Sequence, residues 1–138
     1  MFDQSIFDTP YYVIDIFPLQ IPEQRSGAYF AAEKFFLQEP HLLLLRQKFA
    51  RVIIKLCCYF DFVLERDNEL HETPSPEFLY DTITTCKPND YLTFFFPQQN
   101  CAIIYSSDDL YMTLYNADED FAKLTAQICS AEGVFLRR

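Results

Sequence analysis

Apolar residues recur along this chain with two different periods, and the change of period divides it into elements. Between Tyr91 and Tyr115 the apolar runs are short and separated by turn-forming residues. Leu92 to Phe96 stops at Pro97, Cys101 to Tyr105 closes on Ser106, Ser107, Asp108 and Asp109, and Leu110 to Tyr115 follows. Runs of this length, punctuated by Pro, Asn, Asp and Ser, predict an antiparallel meander. Side chains alternate across a strand. Pairing Tyr105 with Leu110 across the second turn therefore puts Cys101, Ile103, Tyr105, Leu110, Met112 and Leu114 on one face. Ala102, Ile104, Tyr111, Thr113 and Tyr115 take the other. The first face reads as core; the second is apolar but tipped with hydroxyls.

The period changes to 3.6 on either side of this meander. Leu42, Leu45, Phe49, Val52, Ile53, Leu56 and Phe60 fall on one face of a long helix that begins near Pro40, with Lys48, Arg51 and Lys55 opposite. Pro76 to Thr85 predicts another helix, with Phe78, Leu79 and Ile83 inward. After Tyr115, Asn116 and Glu119 have the spacing of a capping box, and Phe121, Leu124, Thr125 and Ile128 face inward along a helix that Gly133 ends. Val134 to Leu136 supplies a last strand. Near the start, Met1 to Thr9 is a mixed lead-in and Pro10 marks the onset of order. Tyr11 to Phe17 reads as a strand, in which Asp15 must lie at an edge or be hydrogen-bonded. Ser26 caps a segment over Ala28 to Leu37 that fits either a helix or a strand. Arg66 to Pro76 is polar, acidic and proline-punctuated, and reads as an exposed loop. The string amounts to a single α+β domain over residues 1–138, an antiparallel meander with one layer of helices packed against it.

Composition then narrows the function classes. Half of the residues are hydrophobic, with 15 Phe and 9 Tyr, so there is ample apolar surface to offset chain entropy. A net charge of −9 argues against a nucleic-acid grip, which needs a basic footprint. A basic or neutral partner, or none, is easier to accommodate. The first basic residue is Arg25, which predicts no signal peptide, and Arg46, Arg51, Lys55 and Asp61 interrupt the longest apolar runs, which predicts no membrane span. Five cysteines without a CxxC pair do not form a disulfide framework or a zinc motif, and a reducing cytoplasm is the expected setting.

Motifs that carry chemistry are scarce. With only Gly27 and Gly133 available, no P-loop, dinucleotide fingerprint or nucleophile elbow can be written. A Ser-His-Asp or Cys-His arrangement would have to recruit His41 or His71 across the fold, and Glu69, His71 and Glu72 lack helical metal-ligand spacing. Cys57 and Cys58 are vicinal on a helix, where neighbouring side chains diverge by about 100° and do not bridge. Asp108 with Asp109 suits a turn, and Asp118, Glu119 and Asp120 suit a helix start. The feature left over is the row Tyr111, Thr113 and Tyr115, because tyrosine suits half-wet recognition surfaces.

The expectation is a non-catalytic binding protein of the inhibitor, immunity or adaptor kind, with no cofactor or metal. Tyr111, Thr113, Tyr115, Asp108 and Asp109 are its candidate binding residues. Its partner is a protein with a basic surface, or a second copy of the chain that covers an apolar patch. Two alternatives stay open: a small-molecule binder with an aromatic pocket, and an enzyme using carboxylate or tyrosine chemistry.

Overall fold

Period-two patterning produces more strand than the meander alone. The computed structural model describes residues 4–138, and Met1, Phe2 and Asp3 of the lead-in lie outside the described residues. Its strands are β1 (Tyr11–Asp15), β2 (Val63–Arg66), β3 (Glu69–Glu72), β4 (Tyr91–Phe96), β5 (Cys101–Ser106), β6 (Met112–Tyr115) and β7 (Phe135–Arg137). They make one sheet in the order β3-β2-β4-β5-β6-β1-β7, with every neighbouring pair antiparallel. The helices are α1 (Ser26–Phe36), α2 (His41–Cys57), α3 (Pro76–Thr84) and α4 (Glu119–Ala131). The fold is α+β, with helices packed on an antiparallel sheet.

The core lies between the helix layer and one face of the sheet. Phe49, Ile53 and Leu56 of α2 and Ile83 of α3 join Leu92, Phe94, Phe96, Ile103, Met112 and Leu114 in one fully buried cluster. Every member of the predicted core face of β5 and β6 is in it, but the register differs. Tyr105 lies opposite Met112, not Leu110. A shift of two residues keeps parity, so each side chain stays on its assigned face.

Several local expectations give way to stronger interactions. Only residues 73–75 of the predicted loop are irregular, because β2 and β3 form a hairpin across Asp67 and Asn68, whose φ angles of 52° and 64° match the primed turns that fit sheet twist. Residues 28–36 are helical with Leu37 as the C-cap, and α1 follows a short 3-10 turn at Glu23–Arg25, with Arg25 rather than Ser26 in the capping position. The cap of α4 is Asp118, which accepts from the Phe121 amide at 2.8 Å, whereas Asn116 turns at φ 61° and donates to the Asn100 carbonyl. Phe78 points outward from α3 and meets the His71 ring, leaving Leu79 and Ile83 to face the core. Order begins before Pro10, since Gln4–Asp8 forms a 3-10 helix that buries Ile6. Gly133 has a φ of 79° after α4 and turns the chain into β7, as the left-handed stop predicts.

β1 is an interior strand, and the edge beside it is β7. Asp15 is therefore buried and held by charge, accepting from Arg137 at 2.8 Å and 3.1 Å and from the Phe17 amide at 3.3 Å. A second buried ion, Arg46 of α2, has no carboxylate among its hydrogen-bond partners. Its guanidinium donates to the Tyr105 hydroxyl and to the carbonyls of Cys86 and Ser107 at 3.0–3.3 Å. No helix among the described residues is long and apolar enough to cross a membrane.

Candidate functional site

The sheet face turned away from the core carries the tyrosine row. Registers place Tyr115 between Ala102 and Tyr11, and Thr113 between Ile104 and Val13. Tyr111 precedes β6 on the same face by alternation. Tyr111, Thr113 and Tyr115 are half-buried and Tyr11 is exposed. The 3-10 helix at Gln4–Asp8 brings the Phe7 ring edge-on to Tyr115 at 5.2 Å, while Tyr11 tilts against it at 5.6 Å. A groove of about 440 Å³ runs over this face, lined by the tyrosines, Val13, Thr113, Gln20, Arg137 and Arg138. It adjoins a smaller cleft of about 240 Å³ where Tyr111 meets Tyr29 of α1 and the Pro22–Glu23 turn.

The cleft end is electronegative. Burial raises the Tyr111 phenol above its usual range, and the carboxylates of Asp109, Glu33 and Asp15 add to the shift. Tyr29 is pushed up to about 12 by burial, with Glu33 and Asp15 adding to it. Asp109 itself is held above the usual carboxylate range by burial and by its neighbour Asp108. Two arginines line the groove, but both are engaged. Arg137 is paired with Asp15, and Arg138 lies 4.2 Å above the Tyr12 ring and donates to its hydroxyl.

The predicted binding residues thus divide. Tyr111 lines the cleft with Asp109 close enough to bear on its phenol, Thr113 and Tyr115 line the groove, and Asp108 turns aside to accept from the Asn89 amide at 3.1 Å. Asp118 caps α4 and Glu119 pairs with Lys123 at 3.4 Å, so the second acidic group serves its helix. Sequence reasoning missed Tyr29, Glu33 and Gln20. Nothing local in their pattern ties α1 to a strand far along the chain; only the fold brings them together.

The remaining candidates for chemistry are dispersed. His41 stacks on Phe35 at 4.1 Å, and His71 lies 3.8 Å from Glu69. Burial raises the Cys57 thiol, which disfavours its thiolate, and Cys58 is exposed with its sulfur on the Ile54 carbonyl. All five cysteines are free. Among the described residues, no three His, Cys, Asp or Glu side chains gather in a metal-binding group. No protein-family model, no curated protein and no solved structure matches this chain.

Proposed function

We propose that this chain is a non-catalytic protein-binding domain that docks a basic segment of another protein on its open sheet face. The observation that carries the reading is Tyr111, a half-buried aromatic ring that lines a cleft with Tyr29 of α1, with the carboxylates of Asp109 and Glu33 close enough to bear on its phenol and Asp15 already paired with Arg137. A ring flanked by carboxylates attracts a lysine or arginine twice over, through its π-face and through the charges beside it. The cleft's size favours a side chain over a whole ligand. At about 240 Å³ it falls below the roughly 300–1,000 Å³ of typical small-molecule sites. The adjoining groove then accommodates the flanking residues of an extended segment, with Tyr11 and Tyr115 as further aromatic anchors.

Fluorescence polarisation with labelled lysine- and arginine-rich, neutral and acidic peptides tests this. The basic peptide binds, and Tyr111→Ala and Asp109→Lys each weaken it by about tenfold or more, without lowering the melting temperature. Asp120→Lys makes the same charge change in the first turn of α4 and leaves the affinity within about twofold, separating the site from the overall charge of the chain. Equal loss in all three variants, or preference for the acidic peptide, would overturn the proposal.

A further inference from the structure

The open sheet face is not the molecule's only concavity, and another has the opposite character. A notch of about 500 Å³ opens between α1 and α2, on the far side of Phe17. Its floor is apolar, built from Ile16 and Phe17 after β1, Phe36 at the end of α1, and Leu44 and Leu45 of α2. Its rim is cationic, with Lys48 and Arg51 one helical turn apart and Gly133 beside them.

The charges on this rim are unusual for a chain of net charge −9. Glu132, at the end of α4, is the acidic residue that meets them. It closes on Lys55 and reaches Arg51 only at 4.0 Å. The Lys48 ammonium makes no ion pair or hydrogen bond with the described residues. It rests near the Gly133 backbone, 3.5 Å from where a side chain there would begin. One carboxylate thus serves two cations, and the Lys48 ammonium, which has no such partner, lies on the wall of an apolar notch. The apolar surface also continues outward. Leu44 is 55% exposed, and the exposed Phe35 ring stacks on His41, which lines the same notch.

We propose that this notch binds an amphiphilic anion, a monocarboxylate with an unbranched apolar tail. Its head pairs with Lys48 and Arg51, and its tail lies along Phe36, Leu44 and Ile16. A notch of about 500 Å³ accommodates an extended alkyl tail with its head at the cationic rim. An apolar floor with a few charged groups at one side is the usual composition of a small-molecule site, and the volume lies within the usual range. This inference is independent of the proposed peptide site, which lies on the outward sheet face and uses different residues.

Isothermal titration of the full chain with dodecanoate, dodecyltrimethylammonium and acetate, all below micelle-forming concentrations, tests head and tail separately. Dodecanoate binds at one equivalent, acetate does not bind measurably, and the cationic amphiphile binds at least about tenfold more weakly. Lys48→Glu weakens dodecanoate by about tenfold or more and reverses the order of the two amphiphiles. Leu44→Ser, at an exposed position that does not threaten folding, weakens both amphiphiles. Equal binding of the two amphiphiles, several weak equivalents, or unchanged affinity in both variants would mean surface adsorption and overturn the proposal. Binding of an acidic helical peptide at this site with no response to dodecanoate would overturn it in favour of a protein partner.

Discussion

Replacing Arg46 by Met tests whether a buried cation without a carboxylate holds the helix layer to the sheet. Met keeps most of the stem's length and apolar contact while removing the guanidinium. The loss leaves the carbonyls of Cys86 and Ser107 without this donor and takes the partner from the Tyr105 hydroxyl, all in the interior. Two unsatisfied buried carbonyls cost about 1–3 kcal/mol each. Not having to bury a charge returns several kcal/mol of desolvation, though the sheltered position already supplied polar partners in place of water. The lost partners outweigh this return, leaving a destabilisation of about 1–3 kcal/mol, or roughly 3–10 °C in melting temperature for a domain of this size. Urea denaturation of Arg46→Met, Tyr105→Phe and the double variant measures it. The pair should couple by about 1 kcal/mol, since the two side chains share one hydrogen bond at 3.2 Å. A single Arg46→Met variant within about 0.5 kcal/mol of the parent would refute the reasoning. The guanidinium would then be tolerated by the fold without contributing to it.

Two further outcomes follow from the same core. Phe49 is fully buried and meets Tyr105 edge-on at 5.5 Å, so Phe49→Ala should cost about 3–5 kcal/mol by urea denaturation, and a loss under about 1 kcal/mol would mean the buried stripe of α2 is misassigned. Burial, opposed in part by Arg46, holds the Tyr105 phenol up to about 12. A group whose folded pKa is raised stabilises fully below its unfolded pKa, near about 10, and that stability is lost as pH rises through the folded value. Melting temperature should therefore fall between about pH 10 and pH 12, and less steeply in Tyr105→Phe. Equal slopes in the two proteins would show that the Tyr105 phenol titrates alike in the folded and unfolded chain.

The sequence alone determined the α+β class, the three-stranded meander, the buried stripe of α2 and the helical stop at Gly133. Each of these rests on interactions within a few residues, where period and turn chemistry act directly. Strand parity was equally legible, which is why Cys101, Ile103, Tyr105 and Met112 reached the predicted face although the register across the turn was off by two residues. Arg46 was legible in principle. Three residues before Phe49 and four after Leu42, it falls on the apolar stripe, and helical spacing alone predicts its burial. The β2–β3 hairpin carried a weaker signal in Asp67 and Asn68, masked by the acidic, proline-rich residues around it. Tertiary structure decided the rest. Only the sheet order sets β1 and β7 side by side, making Arg137 the partner of Asp15 across nearly the whole chain. Only packing brings Tyr29 and Glu33 to Tyr111, or gathers Ile16, Phe36, Leu44 and Lys48 around one notch. Such contacts are set by the closure of long loops and by which faces the core consumes first. No local pattern in the sequence records either, so the core face could be read from alternation while both candidate sites needed the fold.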